Sequence, residues 1–220
     1  MRICAGTYFE KEVQPGADSF VVRGDMTTSH QARPPLGGVV HVTQKICVGL
    51  PSLRTKATFR VLAEAVRAGN EKPGFRIVGF SVLSNHFHYV VEACNNVSLA
   101  RGIQGLAIRV AKALNRHWKR RGRVFRERYF ARALRRMQAM RRAFVYVLQN
   151  ARRHGIRLPP GEVDPFSSGP WFRFWRGRVP RPGEPSPVLE PNDPTLELAL
   201  MRRIGLDERA RSRWTGIAPW

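Results

Sequence analysis

Apolar positions along the chain recur with two different periods, and the switches between them outline a fold. Residues 39–46 (VVHVTQKI) are rich in β-branched side chains and read as a strand. A helix is expected over residues 51–68, where Leu53, Ala57, Val61, Leu62, Ala65 and Val66 recur at helical spacing and Gly69-Asn70 supplies a stop. Residues 75–83 (FRIVGFSVL) are apolar on both faces and read as a central strand. Residues 86–93 (HFHYVVEA) form the next strand, and only Ser84-Asn85 separates the two, which signals an antiparallel hairpin. A second helix is expected from Ser98, its cap, to about residue 118, with Leu99, Ile103, Leu106, Val110, Ala113 and His117 facing inward. Gly102 and Gly105 lie inside it; each costs about 1 kcal/mol relative to alanine, which points to a close backbone approach. A strand at 129–134 follows, then a helix at 138–154 whose apolar stripe is Met140, Phe144, Val147, Leu148 and Ala151. After Gly155 the chain turns proline-rich, with one last helix expected within 194–204.

The order strand, helix, two strands, helix, strand, helix is an α+β pattern. It fits a small antiparallel β-sheet with helices packed on one face (a ferredoxin-like βαββαβ core) and an appended helix. Three regions are expected: an irregular arm at 1–37, a core domain at 38–155 and a Pro-rich C-terminal extension at 156–220.

Charge narrows the partner. The 220 residues carry 38 Lys and Arg against 16 Asp and Glu, a formal net charge of +22. Most of the excess is concentrated in residues 101–160, where eighteen basic side chains face Glu127 alone. A polyanion is therefore the expected partner, and the dominance of arginine there suits bidentate phosphate contacts. No apolar run approaches the roughly 20 residues needed to span a bilayer. Cys4, Cys47 and Cys94 show no paired spacing, so a disulfide framework is not expected and a reducing, cytoplasmic setting is.

Two constellations carry possible chemistry. His86 and His88 are two apart on a strand, so both imidazoles point to one face together with Val90 and Glu92, while Phe87, Tyr89, Val91 and Ala93 point into the core. Two neutral imidazoles on a rigid strand make half of a divalent-metal site. Satisfied or surface histidines would look the same, and the spacing of a structural zinc site is absent. The second constellation is on the last core helix. At about 100° per residue, Tyr146 falls opposite the apolar stripe, with Arg142, Gln149, Asn150 and Arg153 on its side. A tyrosine among arginines and amides can reach a phosphate; an ordinary amphipathic tyrosine on a solvated face is the alternative.

Taken in order, His41-Val42-Thr43, Gly49-Leu50-Pro51-Ser52-Leu53-Arg54, Ser84-Asn85-His86-Phe87-His88 and Val145-Tyr146-Val147-Leu148-Gln149-Asn150 resemble the REP-associated tyrosine transposases. These fall within the single-tyrosine, IS200-like transposases that carry a His-hydrophobe-His metal motif. Arg123-Val124-Phe125-Arg126-Glu127-Arg128-Tyr129 resembles the basic aromatic stretch before the tyrosine helix, and Asp164-Pro165-Phe166-Ser167-Ser168 a tail segment of some members. The resemblance covers about residues 38–155. It implies a transposase-like catalytic domain with His86, His88 and Asn150 as ligands of Mg²⁺ or Mn²⁺, and Tyr146 as a nucleophile that nicks and rejoins single-stranded or hairpin DNA through a 5′-phosphotyrosine link. Arg116, Lys119, Arg120, Arg121, Arg123, Arg126, Arg128, Arg142 and Arg153 are then the expected DNA contacts, with Trp118, Phe125 and Tyr129 as candidates for base stacking. A monomer or a homodimer is expected. Two positions depart from the pattern: Phe87 stands where a smaller aliphatic residue is usual, and Ala151 follows Asn150 where many members have proline, so the helix is expected to run on. Tyr129 is the rival nucleophile. A basic DNA-binding protein without catalysis, and a nuclease that uses water, are the competing functions.

Overall fold

In the computed structural model, which describes residues 37–206, the chain runs through β1 (Gly38–Lys45), α1 (Lys56–Arg67), β2 (Glu71–Lys72), β3 (Phe75–Val82), β4 (His86–Ala93), α2 (Asn96–His117), β5 (Phe130–Ala133), α3 (Met137–Leu148) and α4 (Asn150–Arg153). Then come β6 (Trp175–Arg176), α5 (Pro194–Met201) and β7 (Ile204–Gly205). The expected N-terminal arm lies outside the described residues but for position 37. Five strands form one sheet in the order β2-β3-β4-β1-β5, and every neighbouring pair is antiparallel. With the two-residue β2 set aside, this is the expected βαββαβ core. No helix among the described residues is long and apolar enough to cross a membrane.

Strand alternation sorts the side chains into two cores. Val40 and Val42 of β1, Phe80 of β3 and Phe87, Tyr89 and Val91 of β4 pack under α1 and α2. Val39, Val78 and Val90 point the other way, under Phe144 and Leu148 of α3 and Leu196 and Leu200 of α5. The two core helices therefore share one face, as expected, and the appended helix covers the opposite one. Burial on both sides is why β3 reads apolar throughout, although it is not central in the sheet. β2 pairs with only its first two residues, Phe75 and Arg76. The rest of its outer edge is sealed by the C-terminal extension, through Val82 N–H to Phe166 O, Ser168 N–H to Phe80 O and Leu189 N–H to Ile77 O, each 2.9 Å. An edge closed in this way offers no template for a foreign strand.

Several boundaries differ from the periodicity reading. α1 starts after Thr55, whose hydroxyl caps Thr58 N–H, because the chain from Pro51 to Arg54 is committed elsewhere. Leu53 is fully buried and its N–H donates to Ser84 O across the β3–β4 turn. Arg54 reaches the extension, donating to both carboxylate oxygens of Asp164 at 2.9 Å and to Val82 O at 2.7 Å. α2 is capped by Asn95 rather than Ser98; near its end Leu114 is buried, Ala113 packs half-buried against the core as expected, and His117, expected inward, is exposed. Gly102 is the close approach that the sequence suggested, since a Cβ there would sit 2.2 Å from the Phe75 ring; at Gly105 a Cβ would meet nothing.

The expected single helix at 138–154 is interrupted. α3 ends at Leu148, and Gln149 (φ −105°, ψ 13°) separates it from the single turn of α4. The Gln149 carboxamide donates to Leu206 O at 2.5 Å, which ties the break to the end of the extension. From Ala143 to Ala151 every residue is buried.

Candidate active site

β1 and β4 pair with Thr43 opposite His88, His41 opposite Val90 and Lys45 opposite His86. Alternation then brings His41, Thr43, His86 and His88 to the sheet face covered by α3. His41 and His88 lie nearly parallel, their ring centroids 5.2 Å apart. The Tyr146 ring stands edge-on to both, 5.8 Å from His41 and 5.3 Å from His88. His86 is 4.9 Å from His88, and His154, at the end of α4, is 5.6 Å from His86. Tyr146, Asn150 and His154 are spaced four apart; the first packs against His88 and the last against His86, and Asn150 is fully buried.

The place of Tyr146 corrects the periodicity reading. It is 7% exposed, not on a solvated face. The wall it packs against is itself lined by imidazoles, so a buried position carries a polar signature. Arg153, as expected, is beside it, with its guanidinium 5.1 Å from the ring centroid. Arg142 is exposed on α3. Tyr129 belongs to the other face, packed against the core under α1 and α2.

Hydrogen bonds fix the imidazoles. His86 Nδ1 lies 2.7 Å from Asn85 Oδ1, an atom that only accepts, so Nδ1 carries the hydrogen and Nε2 keeps its lone pair. His88 Nδ1 is 3.1 Å from both His41 Nε2 and Thr43 Oγ1. His88 Nε2 is buried without a partner, and so are both polar atoms of the fully buried Asn150 carboxamide. Buried polar atoms rarely lack partners, so these groups are candidates to hold a ligand. Two neutral imidazoles and a carboxamide oxygen fit Mn²⁺ well and Mg²⁺ acceptably. Among the described residues no group of three His, Cys, Asp or Glu side chains is disposed to hold a metal, so the set depends on the amide.

Burial keeps these groups uncharged. It pulls His41 down to about 3, with help from Arg132, and His86 down to about 4, with help from His154 and Lys45. His88 falls well below the usual imidazole value through burial and its histidine neighbours. Burial raises Tyr146, and Arg153 opposes that only in part. The depressed imidazoles have a consequence for stability. In the unfolded chain they take up protons below about pH 6.5, and the fold refuses them down to about pH 4. Their contribution is complete above pH 6.5 and is lost as pH falls through that window, by about 1.4 kcal/mol per group per unit. Urea midpoints are expected to drop steadily between pH 6.5 and 4; a flat midpoint there would mean that the imidazoles charge freely in the fold.

The basic residues follow the same sheet end. Arg116, Lys119, Arg121, Arg123, Arg126 and Arg128 are exposed along the end of α2 and the loop after it. That loop returns to β1, where Arg126 N–H donates to Lys45 O and Cys47 N–H to Val124 O, next to the His86 pairing. Arg120 and Arg123 partly serve the loop itself: Arg120 holds Asn115 Oδ1 at 2.8 Å, and Arg123 holds Phe125 O at 2.6 Å. Trp118, Phe125 and Tyr129 are all half-buried against the core, with Phe125 and Tyr129 lining a groove of about 470 Å³ on the α2 face. Phe87 is fully buried and stacks on Tyr89, so the departure from the usual motif lies in packing, as expected.

Sequence reasoning assigned no role to His41 or His154. His154 had a signal, the spacing of four from Asn150. His41 lay in one of the stretches that carry the resemblance, but its place beside His88 needed the register of β1 against β4.

No protein-family model matches the chain, and the search of curated proteins returns no match. Among solved structures, the chain is similar to a REP-associated tyrosine transposase bound to a REP hairpin, at 18% identity with a TM-score of 0.50. The match covers 64% of this chain and 82% of that one. At that identity the likeness establishes a shared fold.

Proposed function

We propose that this protein nicks and rejoins single-stranded DNA with Tyr146 as nucleophile, on hairpin-forming sequences, in the manner of the transposases its motifs resemble. One observation carries the reading: the helix bearing Tyr146 packs on the same sheet face as His86 and His88, with the phenol ring 5.3 Å from His88 and an unpartnered amide one turn further on. Tyr146 Oη attacks the phosphorus of a backbone phosphodiester, and the bond to the 3′ oxygen breaks. A 5′-phosphotyrosine and a free 3′-hydroxyl result, the phenolic proton passing through water to the leaving 3′ oxygen. Because the link keeps the energy of the broken bond, a 3′-hydroxyl can later attack it and reseal the strand without ATP. His86, His88 and Asn150 would hold Mg²⁺ or Mn²⁺, which supplies charge to polarise the phosphate. The exposed Arg116, Lys119, Arg121, Arg126 and Arg128 would track the strand toward the His86 end of the sheet, with Arg153 and His154 at the open side of the site.

A second reading is a basic DNA-binding protein without catalysis, favoured by the burial of Tyr146 and by its raised pKa. One assay separates the readings. The full chain is incubated with labelled single-stranded hairpins and Mn²⁺, and denatured products are examined for a protein–DNA adduct. An adduct that disappears in Tyr146→Phe is expected. Cleavage that survives Tyr146→Phe would mean that water is the nucleophile, and salt-sensitive binding without cleavage would mean a binding module.

A further inference from the structure

We infer that His41 and Thr43 are positioning residues that set the tautomer of His88 and so leave its Nε2 bare for a ligand. The inference rests on the proposed function for what that nitrogen does, but the tautomer itself follows from local geometry. Two partners converge on His88 Nδ1, His41 Nε2 and Thr43 Oγ1, each at 3.1 Å. Between two facing ring nitrogens there is one hydrogen, on one or the other. If it sits on His41, then His41 donates to a single in-plane lone pair that the Thr43 hydroxyl also crowds. If it sits on His88, one N–H is shared between two acceptors, an ordinary three-centre arrangement. Each arrangement leaves one buried ring N–H unbonded, on His88 Nε2 in the first and on His41 Nδ1 in the second, so the crowding at His88 Nδ1 decides for the second. It places the hydrogen on Nδ1, and Nε2, buried and unpartnered, keeps a lone pair.

The neighbouring imidazole uses the same device. Asn85 Oδ1 accepts from His86 Nδ1 at 2.7 Å, so each histidine of the pair is held at Nδ1 by its own partner and offers Nε2. The near-parallel packing of His41 on His88, 12° between planes, fixes ring orientation as well as proton position. Such outer partners govern how well a histidine ligates, and their loss weakens metal binding by about 10–100-fold.

The test reads the proton directly. Full-length protein labelled with ¹⁵N-histidine is examined without metal by long-range ¹H–¹⁵N correlation, which distinguishes a protonated from a bare ring nitrogen. His88 is expected with hydrogen on Nδ1 and a bare Nε2. His41→Leu and Thr43→Val should each move His88 toward the other tautomer and weaken Mn²⁺ binding by about 10–100-fold, and His41→Gln, whose amide oxygen can accept, should restore both. If His41→Leu does not fold, Thr43→Val, a swap of hydroxyl for methyl, carries the comparison. A wild-type His88 with hydrogen on Nε2 would overturn the inference, as would a tautomer unmoved in the folded variants. The spectrum needs no metal, so a protein that bound no Mn²⁺ would count against the proposed function and leave this inference to the spectrum alone.

Discussion

Asp164→Ala is expected to lower the unfolding free energy by about 3–5 kcal/mol, because it strands a guanidinium built into the fold. The Arg54 and Asp164 side chains are 11% and 1% exposed, and the pair is bidentate. Asp164 also accepts from Phe166 N–H at 3.0 Å, and Arg54 lies over the Phe166 ring at 4.5 Å. Against a typical total of about 5–15 kcal/mol, the loss would leave the chain near unfolding. The Arg54→Met, Asp164→Leu double variant should recover most of it, since no charge is then left buried alone. Urea unfolding of wild type and the two variants checks this; an Asp164→Ala midpoint within error of wild type would mean that the extension does not depend on this lock.

Asn150→Leu should act in the opposite direction. With metal removed by chelator, the variant is expected to be more stable than wild type by about 1–3 kcal/mol, because it replaces a buried carboxamide that has no partner with an apolar group of similar size. With Mn²⁺ the order should reverse. Wild type gains about 2.7 kcal/mol at a hundredfold excess over the dissociation constant, and the variant, with a ligand removed, gains less. Denaturation with and without Mn²⁺ reads both signs. A loss of stability in chelator would show that the amide has a partner in the fold.

The face of the histidine pair was legible because a strand has a period of two, and nothing about the tertiary surroundings changes it. His86 and His88 lie where alternation puts them, with Phe87 and Tyr89 in the opposite core. The tyrosine helix was less legible. Periodicity treats a polar side as solvent, whereas α3 has the sheet on one side and α5 on another, and its polar side meets His41 and His88. The break at Gln149 was hidden for a related reason, since its partner is the carbonyl of Leu206, far along the chain. Two of the stretches that carry the family resemblance, around Arg54 and Asp164, meet each other rather than the histidines. Sequence motifs mark positions that matter without saying whether they matter for chemistry or for holding the extension against β3.

Under the proposed function, His86, His88 and Asn150 would share one divalent ion beside Tyr146. Titration of metal-free protein with Mn²⁺, followed by the EPR signal of the free ion, tests it most directly. One ion per chain is expected in wild type and in Tyr146→Phe, with affinity lower by about 10–100-fold or more in His86→Ala, His88→Ala and Asn150→Leu. No bound ion in wild type, or an affinity that all three ligand variants leave unchanged, would contradict it.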